Sequence, residues 1–169
     1  MKRAYLFFAL LLAFAPLILA EDSKDLFAAA AGGKLERVQA LLAQGLDVNG
    51  KIDQDRTPLM GAAFNGNLRV IKLLLAYGAN PNLADKQGST ALSEAVMFGS
   101  ADVVNVLIAA GANVNAADSQ GIKVLDKAKK LGRDSLVKLL EAAGAKATET
   151  QSAEDTEKPA ETPPEDSKK

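Results

Sequence analysis

Few residues in this sequence could carry out catalysis, because the chain of 169 residues contains no His and no Cys. Their absence excludes imidazole acid–base catalysis, thiol nucleophiles, disulfides and most structural zinc or haem sites. Asp53 and Asp55 could begin a calcium loop, but Phe64 stands at its twelfth position, where a bidentate carboxylate is needed. The sequence has no glycine-rich phosphate loop and no nucleophile elbow. We therefore predict a protein that is not an enzyme and that holds no metal or cofactor.

The charged residues suggest a second kind of chemistry, the binding of anions. Lys127, Lys129 and Lys130 form a basic run that could contact phosphate or an anionic lipid. The formal net charge of the chain is −1, which is not the balance of a protein that binds nucleic acid. A solvated face at the end of the folded part explains the run better, so no nucleic-acid partner is predicted.

Internal repetition with a period of 33 residues reveals the elements that would position a binding surface. The repeated columns are Gly45, Gly78, Gly111 and Gly144; Gly33, Gly66, Gly99 and Gly132; Asn49, Asn82 and Asn115; Leu41, Leu74, Leu107 and Leu140; and Val38, Ile71, Val104 and Val137. A period of this length predicts a solenoid, in which each unit covers the apolar face of its neighbour. Apolar residues make up 48% of the chain and aromatic residues only 5%, which favours thin, closely packed helices.

Two kinds of segment within these units resemble motifs of the ankyrin-repeat family. Residues 57–63 read TPLMGAA and are similar to the family signature T-P-L-H-x-A-A. Residues 78–82 (GANPN) and 111–115 (GANVN) resemble the family turn G-A-D-V-N. The resemblance covers about residues 22–146. It implies an all-α solenoid of about four repeats, each a helix pair with a β-turn finger.

The residues predict the same unit on physical grounds. Thr57 can accept a backbone N–H as an N-cap, so a first helix is expected over 58–64. A second helix is expected over 68–77, and Gly78 permits the left-handed backbone conformation that closes it. The residues that follow should fold out as the finger, in which Asn82 ties backbone groups together.

Some positions depart from the family pattern. Met60, Ser93 and Asp126 stand where the signature has His, so the hydrogen bond by which that His links neighbouring repeats is expected to be absent. Asp55 replaces the Gly of the finger turn, and Lys123 replaces the Thr of the signature. The resemblance therefore describes the finger at 50–56 and the first helix of the fourth unit less closely than the other units, and the architecture is unaffected.

The repeats place one folded domain at residues 21–146, between two segments of different composition. Residues 1–20 combine a basic start, an apolar run and a small residue, Ala20, which is the pattern of a cleaved export signal. An uncleaved membrane anchor is the alternative. Residues 147–169 carry many acids, three prolines and no large apolar residue, which predicts a disordered acidic tail. In either case we expect a periplasmic or secreted protein.

The resemblance also implies a partner-binding surface. Ankyrin proteins commonly bind along the concave side, which finger tips and the exposed face of the first helices form. Transferred position by position, the candidates on the fingers are Lys51, Asp53, Gln54, Arg56, Lys86, Gln87, Ser89, Ser119, Gln120 and Ile122. The candidates on the first helices are Phe64, Asn65, Glu94, Met97, Phe98, Lys130 and Leu131.

Phe64, Met97 and Phe98 stand out among these candidates. An aromatic and Met cluster amid polar tips has the composition of an interface centre, although Phe98 could instead be buried between repeats. We therefore expect a monomeric, exported module that binds another protein and inhibits or stabilises a periplasmic enzyme. Exported bacterial ankyrin proteins that this chain resembles include hydrolase-blocking partners and others associated with catalase and peroxide defence. A membrane-anchored envelope scaffold is the second hypothesis, and a small hydrolase is the least favoured.

Overall fold

The structure is a computed structural model that describes residues 23–98 and 100–148, and this part of the chain forms eight α-helices. Helix α1 occupies 23–31. The others are α2 (Leu35–Ala43), α3 (Pro58–Phe64), α4 (Leu68–Ala76), α5 (Ala91–Phe98), α6 (Ala101–Ala109), α7 (Val124–Lys130) and α8 (Asp134–Ala142). Within the described ranges the only pairings of β type are two isolated antiparallel bridges, Ala84 with Thr90 and Ala117 with Lys123. The prediction of an all-α fold is confirmed.

The helices form two layers of a repeating stack. Helices α3, α5 and α7 pack side by side in one layer, and α2, α4, α6 and α8 pack side by side in the other. Helices α3, α5 and α7 also pack on α4, α6 and α8, the second helices of their own pairs. A helix pair therefore buries its apolar face mainly against the next pair, which is the solenoid that the period of 33 residues predicts.

The core is built almost entirely from Ala, Val, Ile and Leu. Leu59, Leu74 and Leu92 are fully or almost fully buried, and each contributes roughly 1.5–3 kcal/mol through the area it removes from water. Ala62 and Ala95 are also fully buried at the same repeat position of α3 and α5. Because these side chains are small, the first helices can approach closely, and the layer needs few large residues.

One Asn per finger joins each repeat to the next. The Asn82 side chain accepts a hydrogen bond from the Asn113 backbone N–H at 2.7 Å and donates one to the Gly111 carbonyl at 3.0 Å. Asn49 and Asn115 make the equivalent pair of bonds one repeat before and one repeat after. The prediction that Asn82 ties backbone groups together is confirmed.

The first helix of the second unit is capped as predicted. The Thr57 hydroxyl accepts a hydrogen bond from the Met60 backbone N–H at 3.4 Å, and the Met60 sulfur accepts one from the Thr57 N–H. In the third unit the Ser93 hydroxyl accepts the Thr90 N–H at 2.8 Å in the same way. The residues at the His position of the family signature therefore complete a capping box within their own repeat.

The two regions that depart from the repeat pattern are less regular. Gln54 and Asp55 both have positive φ, 64° and 62°, within a short 3₁₀ helix, Asp53–Asp55, whereas the later fingers turn at a glycine, such as Gly88 with φ 76°. Lys123 precedes α7 without a side-chain cap, because an ammonium group cannot accept an N–H. Both irregularities lie where the sequence departs from the family pattern.

The last described residues, 145–148, follow the path of another finger. The Lys146 backbone N–H donates to the Asn115 side chain at 2.8 Å, as Asn113 does to Asn82, and Thr148 donates to the Asp126 carboxylate. No helix among the described residues is long and apolar enough to span a bilayer. The predicted export signal lies outside the described residues, as do Gly99 and the predicted tail beyond residue 148.

Candidate functional site

Finger residues and the first helices meet on one face of the stack, which we call the finger–helix face. Arg56, at the end of the second unit's finger, lies beside Phe64 of α3 and Glu94 of α5. One repeat further along, Ile122 of a finger lines the same cavity as Met97 of α5. The face therefore combines the two groups of residues from which the sequence predicted a binding surface.

Arg56 lies between two aromatic rings. Its guanidinium carbon is 5.5 Å from the centroid of the Phe27 ring and 5.9 Å from that of Phe64, within the range of a cation–π interaction. One terminal nitrogen lies 3.5 Å from a carboxylate oxygen of Glu94. The Nε atom is buried and has no hydrogen-bond partner among the described residues. Arg56 is therefore held by its ion pair and by the two rings.

Glu94 is the carboxyl group at the centre of this cluster, and its side chain is only 12% exposed. Burial raises the pKa of Glu94 above its ordinary value, and the charge of Asp85 raises it further. Arg56 and Lys127 lower the pKa, but by less than burial and Asp85 together raise it. The ionised carboxylate is therefore less favourable here than in water, and Arg56 is the neighbour that most offsets the penalty.

An exposed aromatic pair continues the face beyond Arg56. The ring centroids of Phe64 and Phe98 are 4.4 Å apart, and the ring planes are inclined by 44°. Phe64 is 38% exposed and Phe98 is 52% exposed. Phe98 is therefore not buried between repeats, which decides the alternative that the sequence left open. Leu131, at the corresponding place of the next repeat, is 50% exposed and extends the apolar surface.

Gly61 makes room for the aromatic ring beneath Arg56. A Cβ atom at this position would lie 3.0 Å from Cε2 of Phe27 and 3.2 Å from the Cβ of Ala31. The same repeat position carries Glu94 in the third unit and Lys127 in the fourth. The absence of a side chain at Gly61 thus lets the Phe27 ring lie against α3 and face the guanidinium.

A cavity of about 390 Å³ opens between the third and fourth units. Its walls combine apolar side chains with a few charged groups, and the lining residues are Ser89, Met97, Asp118, Ile122, Lys127, Lys130 and Leu131. Lys127 and Asp118 form an ion pair of 2.8 Å at its side, and both side chains are mostly buried. A volume of this size falls at the lower end of the range for ligand pockets and suits one or two large side chains of a partner.

The ion pair lowers the pKa of Asp118. The hydrogen bond from Lys127 lowers the pKa of Asp118, and backbone N–H groups of Ile122 and Gln120 lower it further, against a smaller effect of burial. Asp118 also accepts these N–H bonds at 3.0 Å, so its carboxylate shapes the finger as well as the cavity. The interpretation of the basic run as a solvated end face is therefore wrong for Lys127, whose side chain is mostly buried in this ion pair.

The finger tips are mostly exposed and polar. Gln54 and Gln87 occupy the same position of successive fingers, and their side-chain amides lie 3.4 Å apart. The exposed tip candidates are Lys51, Asp53, Gln54, Lys86, Gln87, Ser119 and Gln120, whereas Arg56, Ser89 and Ile122 are half-buried where the fingers approach the helices. Asn65 and Lys130 are exposed at the ends of α3 and α7, and Asn65 donates to the Gly61 carbonyl.

The structure brings some of the predicted residues together and leaves others apart. Arg56, Glu94, Phe64 and Phe98 form one cluster, and the remaining candidates near the cavity form a second. The sequence analysis did not place Phe27, Asp118 or Lys127 on this face. The repeat column that holds Glu94 also holds Lys127, so the period itself could have placed this Lys on the face.

The described residues contain no group of three or more acids that could hold a metal ion. A second cavity, of about 370 Å³, lies where the helix pairs turn and is lined by Gly33, Gly66, Asn67, Leu68, Arg69 and Val70. Asn67 fills part of this region by donating to the Ala30 and Ala31 carbonyls at 3.0 and 2.8 Å. These bonds tie neighbouring units together, so we assign this cavity a structural role.

Comparison with known proteins supports the repeat assignment. A family model described as ankyrin repeats (3 copies) matches residues 26–118 and 77–151, which together include most of the chain. A search of curated proteins gave no significant match.

Proposed function

Because the chain belongs to the ankyrin-repeat family, we propose that it is an exported module that holds a partner protein on its finger–helix face. Ankyrin repeats are protein–protein interaction modules, and solenoids of this kind bind along an extended surface. In this chain the exposed apolar residues indicate which surface binds the partner.

The observation that carries the proposal is the exposed apolar surface of Phe64, Phe98 and Leu131. Most large apolar side chains of the described residues are buried, yet three of the four that are exposed lie on one face. Tyr77 is also exposed, but it belongs to the layer of second helices. An aromatic patch next to Arg and ringed by polar finger tips has the composition of an interface centre.

The biological role that we propose is control of an envelope enzyme. The residues of the face can bind and orient a protein, and neither the sequence nor the family supplies a nucleophile with its base. The partner would then be inhibited or stabilised by being covered, for example a hydrolase of the cell wall or an enzyme of peroxide defence. The first twenty residues, with their basic and apolar pattern, support export.

A membrane-anchored scaffold is the alternative if the first twenty residues are retained. N-terminal sequencing of the protein extracted from cells tests this point. A chain that begins at Glu21 supports an exported, soluble binder, and a chain that keeps the apolar run supports the anchor.

Partner capture tests the binding face. We expect Phe64→Ala combined with Met97→Ala to weaken capture of the native partner from an envelope fraction about ten-fold or more, since central interface side chains dominate affinity. The melting temperature should fall by only a few degrees, because Phe64 is 38% exposed and its main specific contacts are the ring of Phe98 and the guanidinium of Arg56. Tyr77→Ala, which truncates an aromatic residue of similar exposure in the other layer, is the control and should leave capture unchanged. The proposal would be refuted if the Tyr77 variant lost capture while the Phe64 and Met97 double variant retained it.

A further inference from the structure

The net charge of the folded part is concentrated in its last unit. The first three units, residues 23–110, contain eight Lys and Arg residues and eight Asp and Glu residues, so their formal net charge is zero. The fourth unit, residues 111–148, contains seven Lys and Arg residues and four Asp and Glu residues, so its formal net charge is +3. One end of the stack is therefore basic, whereas the charges of the other units balance.

The segment that follows the fourth unit, residues 149–169, has the opposite charge. It contains seven Asp and Glu residues and three Lys residues, which gives a formal net charge of −4. We propose that this acidic segment docks on the basic fourth unit beside the cavity and competes with a partner for that end of the finger–helix face. The docking does not depend on the proposed function, whereas the competition rests on it.

The last described residues hold the start of the acidic segment against the fourth unit. The Thr148 backbone N–H donates to the Asp126 carboxylate at 2.8 Å. The Lys123 ammonium group donates to the Ala147 carbonyl at 3.2 Å. Lys127, which lines the cavity, directly follows Asp126 in α7. The acidic segment therefore begins beside the helix that forms one wall of the cavity.

The length of the acidic segment does not limit where it docks, so charge decides. Its 21 residues span up to about 70 Å when fully extended. The segment can therefore reach any unit, but only the fourth has an excess of positive charge. Because the segment is tethered to that unit, its effective concentration there is on the order of millimolar, at which even weak ion pairs are populated.

The fourth unit offers cations that no carboxylate occupies. Lys130 lines the cavity, is exposed, and has no ion-pair partner among the described residues. Three more lysines of this unit also lack an ion-pair partner in the part of the chain that the structure describes, Lys123, Lys138 and Lys146. Carboxylates of the acidic segment can therefore pair with these groups without breaking an existing ion pair. Such exposed pairs are weak, and salt screens them.

The composition of the acidic segment makes it a reversible competitor. It contains no aromatic and no large aliphatic residue, so it cannot replace the apolar contacts that Phe98 and Leu131 offer at 52% and 50% exposure. A partner that buries these two side chains gains apolar area that the segment does not gain. Partner binding therefore displaces the segment, and added salt weakens the hold of the segment on the fourth unit.

Paramagnetic relaxation enhancement in the whole chain tests the docking. The sequence has no Cys, so Ser167→Cys provides a single site for a nitroxide label on the acidic segment. The control carries the same label in a chain whose seven Asp and Glu residues at 149–169 are replaced by Asn and Gln, which keeps the length of the tether and removes the negative charge. At about 20 mM salt, where screening is weak, we expect the label to broaden amide signals of the fourth unit about two-fold more with the acidic than with the neutral segment. The difference should be largest for residues 122–131, and it should vanish near 500 mM salt, where the Debye length is roughly 4 Å.

Charge reversal on the fourth unit tests where the segment docks. Lys130→Glu combined with Lys146→Glu should remove about half or more of the additional broadening, because two exposed cations become repulsive. Lys34→Glu combined with Lys72→Glu makes the same change in net charge at exposed positions of the first two units, and it should leave the broadening unchanged. Equal losses in the two double variants would overturn the docking, and so would equal broadening by the acidic and the neutral segment.

Capture of the native partner tests the competition separately. The chain with the neutral segment should capture about two-fold more partner from an envelope fraction at low salt, and unchanged or reduced capture would refute the competition. The proposed function fails in a different way. If Phe64→Ala with Met97→Ala abolishes capture but the label shows no docking, the face is the binding site and this inference is wrong. If the label shows docking but capture survives those two changes, the segment docks and the proposed face is wrong.

Discussion

Removal of Arg56 should destabilise the protein in a way that depends on pH. Arg56→Ala deletes an ion pair with the mostly buried Glu94 and two cation–π contacts, with Phe27 and Phe64. The two ring contacts account for about 0.5–1 kcal/mol each. Because the ion pair is long, at 3.5 Å, and Arg56 is partly exposed, it adds about 1 kcal/mol. The expected loss in the free energy of unfolding is therefore about 2–3 kcal/mol at pH 7.

The sign of the pH dependence follows from Glu94. Its pKa in the folded protein is raised above 4.5, mainly by burial, so the folded state holds this proton more tightly than the unfolded state does. The contribution of Glu94 to stability is therefore greatest below pH 4.5 and falls as the pH rises through the raised pKa. Without Arg56 the carboxylate is unpaired, so this pKa should rise further and the fall should be larger.

Urea denaturation at pH 7 and at pH 4 measures the effect. We expect the difference in the free energy of unfolding between wild type and Arg56→Ala to be about 1 kcal/mol smaller at pH 4, because protonation of Glu94, which is favoured there, removes the ion pair from wild type as well. Adding Glu94→Gln to the variant should recover a similar amount at pH 7. Arg69→Ala, on the exposed side of α4, is the control for loss of an Arg and should cost less than about 0.5 kcal/mol. A loss that is the same at both pH values and is not relieved by Glu94→Gln would refute the reasoning.

Three further predictions concern the fingers. Asn82→Ala should cost about 1–2 kcal/mol in urea denaturation, because two hydrogen bonds between repeats are lost, and an unchanged midpoint would contradict this. Gly88→Ala should cost clearly more than Gly121→Ala: both residues have positive φ, but a Cβ at Gly88 would lie 2.7 Å from the Ser119 backbone nitrogen, whereas nothing lies within 4 Å at Gly121. The Gly121 change should cost about 1–2 kcal/mol, so equal thermal shifts would disprove the steric argument. Asp118→Asn should lower stability at pH 7 by about 1 kcal/mol, and this difference should vanish as the pH falls through the lowered pKa of Asp118, since wild type then loses the same ion pair; a difference that persists in acid would exclude that explanation.

The sequence by itself determined the architecture of this protein. A step of 33 residues, repeated in Gly, Asn, Leu and Val positions, specifies where each helix begins and ends, and the same step specifies which residues face the neighbouring unit. Contacts in a solenoid are local, between one unit and the next, so periodicity contains nearly all the information needed. The Asn82 bonds and the Thr57 cap were predicted for this reason, and the irregular turn lies at Asp55, where the repeated Gly is missing.

Only the tertiary structure decided how side chains from different units combine on the finger–helix face. Phe27 lies beneath Arg56 because Gly61 leaves room for its ring, and this arrangement joins residues of two units. The sequence could not tell whether Phe98 was buried or exposed, because an aromatic residue at the end of a helix fits either environment. Its exposure depends on the size of the neighbours that the next repeat supplies. Periodicity specifies the positions, but the directions and distances of long side chains at those positions are set by packing.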